Sequence, residues 1–173
     1  MEINVYKKQG VLTRFFSELK FLILSPREFF EILEFRKNLP WAVSFYLMVV
    51  IITYLLKSIV DLFALNINIL HLKILFFVII VSPIISLIIF HPLIKLFKGT
   101  GSAKDTLLIV LFANSAVIFY LIPFWGNYFY LFWAILLQIL GISAFHKLSI
   151  TRSSMILSIP YSFFLFLRIW EHL

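Results

Sequence analysis

Apolar residues fall into two patterns along this chain. From Val11 to Leu24 they recur at a helical period, and from Trp41 onward they run in long, nearly uninterrupted stretches. At about 100° per residue, Val11, Leu12, Phe15, Phe16, Leu19, Leu22 and Ile23 share an arc of roughly 140°. Thr13, Arg14, Ser17, Glu18 and Lys20 take the other side, with Phe21 and Leu24 as exceptions. That pattern predicts a helix lying in a membrane interface, apolar face down. Ser25, Pro26 and Glu28 then signal a second helix. Ser25 is placed to cap it, Pro26 suits its first position, and Glu28 stands where a capping box needs it. Phe29, Phe30, Ile32 and Leu33 share one side of this helix; Arg27, Glu28, Glu31 and Glu34 share the other. Asn38 and Pro40 end it. Packing of both helices beneath the remaining chain is an equally open reading, compatible with interface binding. Phe15, Phe16, Leu19, Ser25, Pro26, Glu28, Phe29 and Phe30 are the candidate interface or partner positions.

The long apolar runs predict five spans, at about 41–60, 70–97, 106–122, 128–145 and 154–169. The second would reach roughly 40 Å at 1.5 Å per residue, against a hydrocarbon core of ~30 Å. Pro83 and Pro92 are the places for it to bend, and Pro160 for the fifth. Lys57 and Asp61, four apart at the end of the first span, are placed to pair and snorkel outward. Polar connections are expected around Asn66 and Asn68, across Lys98 to Asp105, and from His146 to Ser153. Ser102 and Asp105 are spaced as a capping box for the third span. The organisation read from this is a flexible start at 1–10, an amphipathic arm at 11–38 and a five-span bundle at 39–173. The fold class is an all-α integral membrane protein: five transmembrane helices preceded by two amphipathic interfacial helices.

Composition agrees. The 173 residues are 62% hydrophobic and 13% charged, where soluble domains run at about 45–50% apolar and about 25% charged. A soluble fold of this size could not hide that much apolar surface. Net charge is +7, from 15 basic and 8 acidic residues. The basic residues sit in the arm and between apolar runs, not in one dense stripe, which argues for an anionic membrane surface and against nucleic acid. With the N-terminus inside, the inner segments carry Lys7, Lys8, Arg14, Lys20, Arg27, Arg36, Lys37, Lys95, Lys98, Lys104, Lys147 and Arg152. Only Lys57, Lys73 and Arg168 are left outside, a clear positive-inside bias that supports five spans. No cleavable signal pattern opens the chain, so the first span is expected to serve as the insertion signal.

Candidate chemistry is sparse. Ionisable residues lie near span ends, not at span centres, which argues against a proton-coupled transporter or a charge-lined channel. Thr53, Ser82, Ser86, Asn114, Ser115 and Gln138 are the mild polar groups at depth. Such groups bond between helices, and Asn114 and Gln138 are the candidates for lining a cavity instead. His71, His91, His146 and His172 are not paired at metal-ligand spacing, and with no cysteine a metal site is not expected. The turn holding Gly99 and Gly101 lacks the Gly-Lys-Ser/Thr ending of a phosphate loop. No nucleophile elbow or acid–base pair stands out. No catalytic residue, metal or cofactor is therefore assigned, and the chain reads as a non-enzyme.

Four pieces resemble the Yip1-domain family: Leu24-Ser-Pro-Arg-Glu-Phe-Phe30, Pro40-Trp41, Lys98-Gly-Thr-Gly-Ser-Ala-Lys-Asp-Thr106, and Gly141-Ile-Ser-Ala-Phe-His-Lys-Leu-Ser149. Their order and spacing carry the resemblance, over about 12–172, and they are most similar to the prokaryotic branch. It singles out Gly99, Gly101, Ser102, Lys104 and Asp105 as a signature loop. It also implies five spans, a cytoplasmic N-terminus and no catalysis. Members often have a proline, and a kink, where this chain reads Phe112-Ala-Asn-Ser-Ala116. The Rab-type GTPase partners of eukaryotic relatives do not carry over, because the long acidic, Pro-rich extension is missing. The expectation is a scaffold, adaptor or membrane-organising protein in the cell (inner/plasma) membrane, with its C-terminus on the far side. Its partners are the lipid bilayer, with other membrane proteins or self-association open beside it. A transporter or lipid-handling protein for a neutral or lipidic substrate is the alternative.

Overall fold

The computed structural model describes the backbone of residues 10–63 and 69–170, with side chains at 10–34, 37–60, 62 and 80–162. The expected frayed start at 1–9, the loop at Asn66 and Asn68, the Asp61 partner of Lys57, the side chains of Lys73 and Arg168, and His71 and His172 lie outside the described residues. Among those described the chain is helical, in the order α1 (Val11–Leu24), α2 (Pro26–Arg36), α3 (Leu39–Phe63), α4 (Ile69–Leu96), α5 (Ala103–Asn114), a 3₁₀ segment (Ser115–Leu121), α6 (Gly126–His146) and α7 (Ile150–Trp170). Each expected helix is present, with ends within a few residues of those read from the apolar pattern.

Three segments are, among the described residues, long and apolar enough to cross a bilayer: Leu39–Val60, Ala103–Leu121 and Gly126–His146. Five were expected. The described apolar part of α4 is the shorter stretch Ile80–Leu96, and the side chains of α7 are described only as far as Ser162. Burial ranks the three. The span through α5 is 67% buried, against 28% for α3 and 33% for α6. Leu108 to Ala113 are buried in succession, so beyond its first turn α5 presents no outward face and forms the axis of the bundle. The flanking spans leave Leu47, Ile51, Leu55, Leu131 and Phe132 exposed, as lipid-facing helices do.

The change of helix type at Ser115 falls in the stretch where members often have a proline and this chain has none. Ser115 Oγ donates to the Leu111 carbonyl at 3.0 Å, in the i−4 back-bond that perturbs helices. A 3₁₀ helix rises about 2.0 Å per residue, against about 1.5 Å in an α-helix. The composite α5–3₁₀ rod therefore reaches roughly 32 Å, the same as the 21 residues of α6 and close to the ~30 Å hydrocarbon core. The two rods match in length because seven residues are stretched.

The arm differs from the expected interfacial pair. Phe15, Leu19 and Leu22 of α1 and Phe29, Phe30 and Leu33 of α2 are buried in the bundle core. Phe15 stacks on Phe45 of α3 at 5.2 Å, Phe29 meets Phe112 of α5 edge-on at 5.0 Å, and Phe30 reaches Phe145 of α6 at 6.5 Å. The apolar arc of α1 is thus divided: one half packs on protein, while Val11, Leu12 and Phe16 stay exposed. The capping box expected at Ser25 and Glu28 does not form. Ser25 makes no side-chain cap bond and Glu28 is exposed. Ser25 is at once the last cap of α1, its N–H bonded to the Phe21 carbonyl, and the residue before Pro26. With ψ at 59° it is not in the extended conformation of an N-cap, so its hydroxyl is not aimed at the first turn of α2.

Candidate functional site

The signature loop joins α4 to α5 and lies against the end of α6. The Lys98 backbone takes φ 64°, leaving α4 through a left-handed turn. Gly101 then passes so close to α6, and Gly99 so close to the end of α4, that no side chain fits. A Cβ on Gly101 would lie 2.6 Å from Nδ1 of His146 and 3.0 Å from the Phe145 carbonyl; one on Gly99 would lie 2.5 Å from the Ile94 side chain. The Thr100 N–H donates to the His146 carbonyl at 3.2 Å. Lys95, one turn before the loop, donates to the Gly101 carbonyl at 2.7 Å. Loop carbonyls that would otherwise be orphans are thereby answered by a cation at the C-terminus of α4.

Ser102 and Asp105 form the expected capping box. The Asp105 N–H donates to Ser102 Oγ at 3.2 Å and the Ser102 N–H donates to Asp105 Oδ2 at 2.8 Å. The second oxygen of Asp105 pairs with Lys37 Nζ at 3.0 Å. Lys37 caps α2 with φ 31°, so the pair ties the end of the arm to the start of α5. Lys104, between Ser102 and Asp105 in sequence, is exposed.

Below the loop a hydroxyl joins two histidines. Thr106 Oγ1 lies 2.9 Å from His91 Nδ1 and 3.1 Å from His146 Nε2. One hydroxyl proton cannot serve two acceptors, so at least one ring donates. His146 Nδ1 is buried without a partner. The assignment that orphans no buried N–H puts the proton of His146 on Nε2, donating to Thr106 Oγ1, and the Thr106 hydroxyl has two acceptors within reach, His91 Nδ1 and the Ser102 carbonyl at 3.4 Å. Thr106 is 1% exposed and His146 fully buried, while His91 is partly exposed. This chain of bonds is a clasp holding α4, α5 and α6 together. Among the described residues no three metal-ligating side chains converge.

A second set of contacts fixes α1. Glu18, expected on the polar side, is buried. It accepts from Arg14 Nε at 2.9 Å and from the Trp41 indole at 2.5 Å, while the Arg14 guanidinium sits 4.0 Å over the Trp41 ring. The Lys147 ammonium meets Glu34 of α2 at 2.6 Å. Arm, signature loop and α6–α7 turn therefore share one end of the bundle. Deeper in, Asn114 donates to Ser82 across α4 and α5 at 3.4 Å, and Ser82 also bonds Tyr46 of α3. Gln138 is buried with its Oε1 unpartnered.

The profile of the Yip1 domain matches residues 20–170. The chain belongs to the Yip1-domain family. The match takes in the last turn of α1 and everything from α2 through α7 (the exposed Val11, Leu12 and Phe16 of α1 precede it). Comparison with curated proteins and with solved structures found no match. Within this Yip1 domain the signature loop and Trp41 hold the arm at separate points, Asp105 on Lys37 and Trp41 on Glu18. His91, Lys95, Thr106, Lys37 and Glu18 were not singled out from the sequence; Lys95 four residues after His91 was the available signal, at helical spacing toward the loop.

Proposed function

We propose that this Yip1-domain protein is a non-enzymatic, five-span organiser of the cell membrane, with its arm on the cytoplasmic side. The α4 and α7 helices, of 28 and 21 residues, complete the five spans. One observation carries the reading: α1 is held rigidly by one face, while Val11, Leu12 and Phe16 stand 62%, 67% and 58% exposed on the other. Exposed apolar side chains on a firmly anchored helix, at the end of the bundle carrying most of the basic residues, suit insertion into one leaflet. A docked helix inserts with its ordering entropy already spent in folding. Liposome work with the full chain tests this. Leu12→Glu with Phe16→Glu, at exposed positions of α1 where Phe16 touches the core through the edge of the Phe15 ring, should abolish a preference for curved vesicles while the chain stays folded. An unchanged preference would sink the proposal.

A transporter or lipid-handling role is the second reading, favoured by the unpartnered Gln138 Oε1, Thr53 Oγ1 and Trp133 Nε1 in the bundle. The Tyr46–Ser82–Asn114 bonds across three helices weigh against it. Lipid scrambling or neutral-solute flux in proteoliposomes that falls on Gln138→Leu would favour it.

A further inference from the structure

The arm and α6 do not close on each other along their whole contact. Between them lies an open groove of about 250 Å³. On one wall stand Arg27, Glu31 and Glu34, at helical spacing on a single face of α2; on the other stand Leu140, Ala144 and Lys147, on a single face of α6. Ile150, at the start of α7, and Ser143 of α6 also line it.

We propose that this groove binds the headgroup of a zwitterionic aminophospholipid. Its charged lining consists of two cations and two carboxylates, with no net charge. Arg27 pairs with Glu31 at 3.0 Å and Lys147 with Glu34 at 2.6 Å, and both cations are more than half exposed. Exposed pairs of this kind are weakly held, so either exchanges partners at little cost. A lone anion would meet two carboxylates and a lone cation would meet two basic groups. A ligand with phosphate and ammonium a few bonds apart satisfies all four: phosphate on Arg27 and Lys147, ammonium on Glu31 and Glu34. The apolar lining comes from Leu140, Ala144 and Ile150, and Ile150 is itself exposed, which gives the groove an apolar border for the start of the acyl chains. The volume falls just below the ~300–1,000 Å³ of sites for drug-sized molecules, right for a headgroup whose chains stay in the bilayer. Lys147 follows directly on the last residue of the α6 span, which sets the groove at headgroup depth. The inference rests on that depth and not on insertion of α1, so Leu12→Glu with Phe16→Glu leaves it untouched.

Native mass spectrometry of the detergent-solubilised full chain tests it. Phosphatidylethanolamine and phosphatidylglycerol with identical acyl chains are titrated in parallel. The wild type should take one phosphatidylethanolamine with roughly tenfold preference over phosphatidylglycerol. Glu31→Gln with Glu34→Gln should reverse the preference, because the groove then carries two uncompensated cations. Ala144→Trp, which fills the groove, should abolish the adduct. Equal binding of the two lipids by the wild type, or indifference to both the carboxylate and the Ala144 variants, would overturn the proposal. Glu31→Gln alone, whose carboxylate pairs only within α2, repeats the charge test with the Glu34–Lys147 pair of the arm intact.

Discussion

The tightest constraints are on single residues at the loop end. Gly101→Ala would put a methyl carbon 2.6 Å from the His146 ring, with backbone 3.0 Å away on the same side. Overpacking of that sort costs about 1–3 kcal/mol, to be read as a lowered unfolding temperature in detergent. Thr106→Val removes the hydroxyl that joins His91 and His146 and leaves the buried Nε2 of His146 unpaired, at a cost of about 1–3 kcal/mol. Thr106→Ser keeps the hydroxyl and should recover most of that loss. Lys98→Gly should raise stability by about 1 kcal/mol, since Lys98 holds a left-handed backbone where glycine is unstrained. Legibility from the sequence varies at this scale. Two positions share the spacing of a capping box, and only Ser102 with Asp105 forms one. Ser25 fails because α1 and α2 share it as a joint, leaving no free residue to take the extended cap conformation. The His–Thr–His clasp joins residues on three helices, 15 and 40 positions apart, and no local pattern reports such a meeting.

At the scale of elements, periodicity located every helix and left the covering of one face open. For the apolar arc of α1, membrane contact and packing under the bundle were equally open readings, and both apply: Phe45 packs on one half of the arc while the other half stays exposed. A hydrophobic arc records that a face avoids water; it does not say whether lipid or protein covers it. Glu18 was misplaced for the same reason: its polarity suggested solvent, while its two partners offset the cost of burial. Trp41→Phe should cost about 1.5–3 kcal/mol of arm docking, the worth of a hydrogen bond to a charged group. Amide exchange in α1 should then rise roughly tenfold or more while α5 is unchanged. The length match between α5 with its 3₁₀ extension and α6 was not legible, since nothing in the run from Phe112 to Ala116 announces a change of helix type.

At the scale of the molecule, the positive-inside pattern and the fold agree on which segments belong together. The arm, the α4–α5 loop and the α6–α7 turn meet at one end, through Lys37 with Asp105 and Lys147 with Glu34. The far end carries the uncharged turn at Phe124 and Trp125, with Phe124 96% exposed. Aromatic side chains there suit the opposite interface. The chain contains no cysteine, so single reporters can be placed on a clean background. Lys104→Cys should be labelled by an impermeant thiol reagent only from the cytoplasmic side, and Phe124→Cys only from the other. Leaflet insertion is decided by the depth of α1 itself, read from nitroxides on Phe16→Cys and Arg27→Cys in reconstituted full-length protein. The label at Phe16 should lie about 5–10 Å into the headgroup and acyl boundary, protected from aqueous relaxants, while the label at Arg27 stays in water. Equal aqueous accessibility at the two positions would contradict insertion.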